Sequence, residues 1–90
     1  MLSDNERPEF AVCPLTVGVY IGRNEQRAVA MWPIPVVTDN VDTFVEPRLT
    51  KGQAPGSWFL PGVHNIEYRA EDTAYNEAFP CTFTVMVRGR

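Results

Sequence analysis

The sequence has little of several features that would assign a function directly. No run of 18 apolar residues occurs among its 90 residues, which excludes an ordinary membrane-spanning helix. Eight basic residues against 11 acidic ones give a net charge of −3, so the chain lacks the basic surface typical of nucleic-acid-binding domains. One histidine and two cysteines show no zinc-ligand spacing. No asparagine is followed by x-Ser/Thr, so no N-glycosylation signal is present.

The length predicts a single domain with a modest core. A chain of this size buries only about 60–65% of the surface that its unfolded form exposes. The first residues are polar and lack the basic-then-apolar order of a signal peptide. We expect residues 1–9 to be an N-terminal linker and residues 10–88 to form the domain, as part of a longer chain.

Alternating apolar and polar residues, broken by eight prolines and six glycines, predict short strands rather than helices. Strands are predicted at residues 15–21, 27–32, 43–49, 61–70 and 81–87. A polar turn is expected at residues 38–40, a loop at 50–57, and an edge position for the strand that contains Pro47. The residues predicted to point inward are Leu15, Val17, Val19, Ile21, Ile66, Tyr68, Ala70, Cys81, Phe83, Val85 and Val87. Glu67 and Arg69 are predicted to point outward. The spacing of turns favours an all-β sandwich or barrel of six or seven strands.

The two cysteines are predicted to form a disulfide. Cys13 opens the first clear strand and Cys81 opens the last, and both fall on the inward side. First and last strands of a sandwich often lie side by side, so a bridge is reasonable, although two free buried thiols remain the alternative. A disulfide would indicate an oxidising compartment, hence an extracellular protein.

In order and spacing, these residues resemble the HYR (hyalin repeat) domain family. Cys13-Pro14 opens an alternating strand, and a Trp-x-x-Pro at residues 32–35 leads into Asp39-Asn40. The later positions of the pattern are Gly56, Phe59, Pro61, Gly62, Ile66, Tyr68, Ala70, Asp72, Asn76, Cys81, Phe83, Val85 and Val87. Two departures stand out: Tyr75 replaces a glycine in the loop, and Glu46 or a neighbour stands where many members carry another cysteine.

The resemblance implies an immunoglobulin-like antiparallel β-sandwich of about seven short strands, related to fibronectin type III domains. It implies a secreted or extracellular, multidomain parent protein that acts in cell adhesion or in matrix protein–protein interactions. Neighbouring modules would be sushi domains or further HYR repeats, and the partner would be one of these or a receptor or matrix protein. No enzymatic activity and no cofactor are implied.

Two polar loops define the first candidate site. In an immunoglobulin-like sandwich, Asp39 and Asn40 would lie at the same end as Asp72 and Asn76. These oxygens, with Asp42 and Glu71, could contribute to a calcium site, or they could only hold turns through backbone hydrogen bonds. Catalysis by these carboxylates with His64 is disfavoured, because so small a sandwich has little room for a cleft.

Trp58 is the second candidate, as part of a protein-binding surface. One of Trp58 and Phe59 should point outward, and Phe59 matches the core position of the pattern, although Trp58 could also cover the edge of the core. The alternative function is an accessory carbohydrate- or ligand-binding module of a secreted enzyme or receptor. Such a module should show a row of outward aromatics, whereas only Tyr20 and Trp58 are available. Trp32 is predicted to be in the core.

Overall fold

The fold is all-β, and the eight strands of the described residues form two layers around a shared core. In the computed structural model the described residues are 6–40 and 45–89. The strands are β1 (Glu9–Val12), β2 (Val17–Tyr20), β3 (Ala28–Val29), β4 (Val36–Thr38), β5 (Arg48–Lys51), β6 (Trp58–Phe59), β7 (Gly62–Arg69) and β8 (Cys81–Arg88). One layer is a four-stranded sheet in the order β2-β8-β7-β5, and the other consists of the ladders β1-β4 and β3-β6. The described residues contain no helix able to cross a membrane.

The long strands β7 and β8 form the centre of the larger sheet. They pair antiparallel from Gly62↔Val87 to Tyr68↔Cys81. Their period-two patterns bury the predicted residues, including Ile66, Tyr68 and Val85. The first and last predicted strands are indeed neighbours, but β2 pairs with β8 in the parallel direction, so the sheet is mixed rather than wholly antiparallel.

Aromatic side chains fill the space between the layers. Trp32 is buried as predicted, and its ring meets Phe83 edge-on at 5.4 Å and Phe59 at 6.0 Å between centroids. The Trp32 Nε1–H donates to the Tyr68 hydroxyl at 3.1 Å. Since Tyr68 lies on β7 and Trp32 follows β3, this hydrogen bond joins the two layers.

Several predicted strand limits were wrong, and proline explains most of the errors. Leu15 is not inward but 85% exposed, because β2 begins only at Val17. Pro14, three residues before Val17, cannot donate a hydrogen bond to a ladder. The predicted strand 43–49 starts at Arg48 instead and runs on to Lys51, because Pro47 cannot donate to the ladder. Residues 43 and 44 lie outside the described part. As expected, β5 is an edge strand.

The short strands were the least predictable. In the predicted strand 27–32 only Ala28 and Val29 pair, and Thr38, expected in a turn, ends β4. The strands β1 and β6 were not predicted, because four and two residues are too few to show alternation. The predicted domain start at residue 10 is not marked by a break, since β1 begins at Glu9 and Pro8 is buried.

Candidate functional site

Trp58 lies on an apolar outer surface of the β3-β6 ladder. It is directly opposite Val29, while the neighbouring pair, Ala28 and Phe59, is buried. Opposite residues of an antiparallel ladder project to the same face, so Trp58 and Val29 project outward together. The exposed fractions are 52% for Trp58, 40% for Val29 and 65% for Met31. We call these three residues the Trp58 face.

The ladder holds this surface in a fixed geometry. Beyond β3, the Ala30 N–H donates to the Ser57 carbonyl at 3.3 Å, and the Gly56 N–H donates to the Ala30 carbonyl at 2.8 Å. The Gln53 side-chain amide donates to the Trp58 carbonyl at 2.7 Å. The backbone beneath the Trp58 face is therefore hydrogen-bonded on both sides.

A polar rim borders the Trp58 face. A shallow hollow of about 390 Å³ is lined by Trp58 and by residues 24–27, Asn-Glu-Gln-Arg. A hydrogen bond of 3.1 Å from the Glu25 N–H to the Gly22 carbonyl closes the turn in which Asn24 adopts a φ of 64°. An aromatic and aliphatic centre with a charged and amide rim is the usual composition of a protein-binding patch.

The loop after β7 is organised by Asp72. One of its carboxylate oxygens accepts from the Ala74 N–H at 3.0 Å and from the Asn76 N–H at 2.8 Å. The other oxygen accepts from the Asn76 side-chain amide at 3.0 Å. Burial alone would raise the pKa of Asp72, but the hydrogen bonds from Asn76 and Ala74 outweigh it and hold the pKa below its usual value. Asp72 is thus a buried, ionised carboxylate whose hydrogen bonds hold its own loop closed.

Asp39 and Asn40, the predicted neighbours of Asp72 and Asn76, line a depression to which neither Asp72 nor Asn76 contributes. Thr38 and residues 6, 7 and 9 also line this depression. Among residues 6–40 and 45–89, no group of three or more histidine, cysteine or acidic side chains could hold a metal ion. Asp42 lies outside the described residues. Calcium binding therefore stays a prediction, which the melting temperature with millimolar calcium and with chelator would test.

Glu67 was predicted to point outward, and it lies on the same sheet face as Thr82, its partner on β8, yet it is buried. The residue is 8% exposed, because the Thr50 hydroxyl (2.7 Å) and the Arg69 guanidinium (2.9 Å) both donate to its Oε2. The Arg69 and Thr50 hydrogen bonds lower the pKa of Glu67. Thr50 was predicted to lie in a loop, so no sequence signal placed it beside Glu67.

His64 contacts the Leu60 carbonyl at 2.7 Å and the Phe59 ring, and no acid–base pair forms around it in the described residues.

The predicted disulfide is confirmed. Cys13 and Cys81 are bonded, with their Cα atoms 5.8 Å apart. Cys81 is fully buried at the start of β8, and Cys13 packs against the core from the segment between β1 and β2. The bridge ties the beginning of the domain to its last strand.

Comparison with known proteins agrees with this architecture. The HYR domain family model matches residues 3–87. The sushi repeat-containing protein SRPX2 of Bos taurus is 44% identical over 59 residues, which are 66% of this chain and 12% of that protein. The sushi-repeat-containing protein SRPX of Mus musculus is 35% identical over 87 residues, which are 97% of this chain and 18% of that protein.

The chain therefore spans less than a fifth of the length of these relatives. No solved structure matches it. The family match covers nearly the whole chain and includes the disulfide, the buried tryptophan and the Asp72 loop described above. This chain belongs to the HYR domain family.

Proposed function

We propose that this domain is a non-catalytic interaction module of a larger extracellular protein, and that the Trp58 face is the surface that contacts its protein partner. The outward position of Trp58 directly opposite Val29, with the exposed Met31 two residues along the chain from Val29, is the observation that carries the proposal. Tryptophan is enriched at the energetic centres of protein interfaces, and methionine adapts its shape to different partners. The partner class comprises neighbouring sushi or HYR modules and receptor or matrix proteins.

Two further observations support the extracellular setting. The Cys13–Cys81 disulfide is stable in an oxidising compartment and rare in reducing ones. The relatives are named for their sushi repeats, and the chain corresponds to 12–18% of their length, which suits one module in a longer protein. Spacing and orienting its neighbours is the second part of the proposed role.

A binding screen with matched variants tests the Trp58 face. The domain is displayed against purified secreted and cell-surface ectodomains, and in parallel against a glycan array. Trp58→Ala should weaken binding to a protein partner by at least about tenfold, since an interface hot spot is worth about 2 kcal/mol or more. Tyr75→Ala is the control, because Tyr75 is an aromatic residue that is 82% exposed in the loop between β7 and β8.

Equal binding by Trp58→Ala and wild type for every protein partner would contradict the proposal. A glycan signal that depends on Trp58, without a protein partner, would instead support the carbohydrate-binding alternative. Melting temperatures of both variants verify that the fold is intact.

A further inference from the structure

The outer edge of β2 presents backbone groups that the described fold does not use. The Ile21 N–H donates to the Arg88 carbonyl at 2.8 Å, and β2 runs parallel to β8 from Val17↔Val85 to Tyr20↔Arg88. Backbone groups of successive strand residues point to opposite sides, so those of Gly18 and Tyr20 point away from β8. In the part of the chain that the structure describes, β2 is an edge strand of the four-stranded sheet and no strand pairs with this side.

Three of the other outer strands, β5, β1 and β6, carry devices that discourage pairing with another chain, and β2 carries none of these. In β5, Arg48 and Lys51 are charged, and the register shifts after Leu49. The register of β1 also shifts, between Phe10 and Val12. In β6 the Gln53 amide already occupies the Trp58 carbonyl. Charges, bulges and capping are the usual protection of sheet edges, whereas β2 reads Val-Gly-Val-Tyr in a regular register.

The two outward residues of β2, Gly18 and Tyr20, have complementary shapes: Gly18 leaves an open surface that a tyrosine ring can cover. A Cβ built on Gly18 would meet no atom within 4 Å, so the surface above Gly18 is open. Met86, which is opposite Gly18 on β8, is partly exposed beside this gap. Tyr20 projects to the same face and is 67% exposed. An aromatic side chain directly across from a glycine covers the glycine and stabilises the pairing.

We propose that β2 pairs antiparallel with β2 of a second copy of this chain, with Val19 opposite Val19 on the two-fold axis. In this register Gly18 of each copy exchanges two backbone hydrogen bonds with Tyr20 of the other. Each Tyr20 ring then lies over the open Gly18 and reaches Met86 beyond it, where a sulfur–aromatic contact is favourable. The two four-stranded sheets become one continuous sheet of eight strands.

The small area of the contact limits the affinity of the dimer. One short strand and one tyrosine per copy bury less than the roughly 1,200 Å² at which stable interfaces begin. The dimer is therefore weak: the chain should be monomeric at about 10 µM and largely dimeric at about 2 mM. Pairing does not involve the Trp58 face, so it is independent of the proposed function.

Sedimentation velocity and amide hydrogen exchange of the 90-residue chain across this concentration range test the proposal. Exchange at Gly18 and Tyr20 should slow severalfold on concentration, while exchange at Ile21, already bonded to β8, should not change. Gly18→Lys, which places a charge opposite Tyr20 of the second copy, should abolish both the dimer and the added protection. Tyr20→Lys is the second variant, in case the first does not fold.

Val63→Lys is the matched control, because Val63 projects from the same sheet face on β7, is 62% exposed and receives the same charge. It should still dimerise. A chain that is monomeric at about 2 mM would overturn the proposal. So would a dimer that persists in folded Gly18→Lys, or one whose protected amides lie in β6 instead of β2.

Discussion

Asp72 combines burial, a negative charge and several hydrogen bonds in one side chain. Its carboxylate accepts hydrogen bonds from Ala74 and Asn76, the residue is 4% exposed, and its pKa is lowered. A carboxyl with a lowered pKa in the folded state stabilises the fold at pH values above its ordinary range, about 4, and this stabilisation is lost as the pH falls through the lowered value. The domain should therefore lose stability in acid.

Asp72→Asn tests this assignment. The amide keeps one acceptor oxygen but no charge, so we expect the melting temperature to fall by roughly 5 °C at pH 7. The difference from wild type should narrow as the pH falls below the ordinary carboxyl value of about 4 and through the lowered pKa of Asp72, because the folded wild type then loses this charge too. Thermal melts from pH 7 to pH 2.5, run also on the exposed neighbour variant Glu71→Gln, give the comparison. A difference independent of pH would contradict the role of the charge.

Tyr75 keeps a left-handed backbone where the family pattern has glycine. Its φ is 67°, a conformation that costs a residue with a Cβ about 1–2 kcal/mol. Tyr75→Gly should relieve this strain, and after the extra entropy that glycine loses on folding we expect a net gain of about 0.5–1 kcal/mol. Ala74→Gly, at a position without positive φ, should instead destabilise. Urea denaturation of both variants measures the difference, and a less stable Tyr75→Gly would refute the strain.

At the scale of elements, the hydrogen bond from Trp32 to Tyr68 joins the two layers inside the core. Both side chains are buried, so Tyr68→Phe leaves the Trp32 N–H without its acceptor. An unsatisfied buried donor costs about 1–3 kcal/mol. We expect this loss in the free energy of unfolding measured with urea, whereas Tyr20→Phe at the exposed edge should change it by less than about 0.5 kcal/mol. Equal effects of the two variants would show that the hydrogen bond does not matter.

The elements also show which kind of pattern predicts structure. The strands β7 and β8 have eight residues each, long enough for the period of two to identify Ile66, Phe83 and Val85 as core residues. Two-residue strands such as β6 have no period to detect. Their pairing depends on a partner strand distant in sequence, which no local pattern contains.

At the scale of the whole molecule, the disulfide closes most of the chain into one loop. Cys13 and Cys81 are 68 residues apart, and the chain-entropy model assigns about 4 kcal/mol to a loop of this length. The double variant Cys13→Ala/Cys81→Ala should lose about this free energy of unfolding in urea. Alkylation of the folded wild type without reductant should leave its mass unchanged. Addition of two alkyl groups would show that the thiols are free.

The sequence by itself determined the all-β class, the inward residues of the long strands and the disulfide pair, and it offered backbone hydrogen bonding within the Asp72 loop as one of two interpretations. Each of these depends on local alternation, on cysteine count or on contacts within five residues. Only the tertiary structure decided that Glu67 is buried, that Leu15 is exposed and that Trp58 stands beside Val29. These outcomes depend on which strands become neighbours: β5 brings Thr50 to Glu67, and β3 brings Val29 to Trp58. Packing of the whole core decides which strands become neighbours. The local pattern of any single strand therefore does not encode this choice.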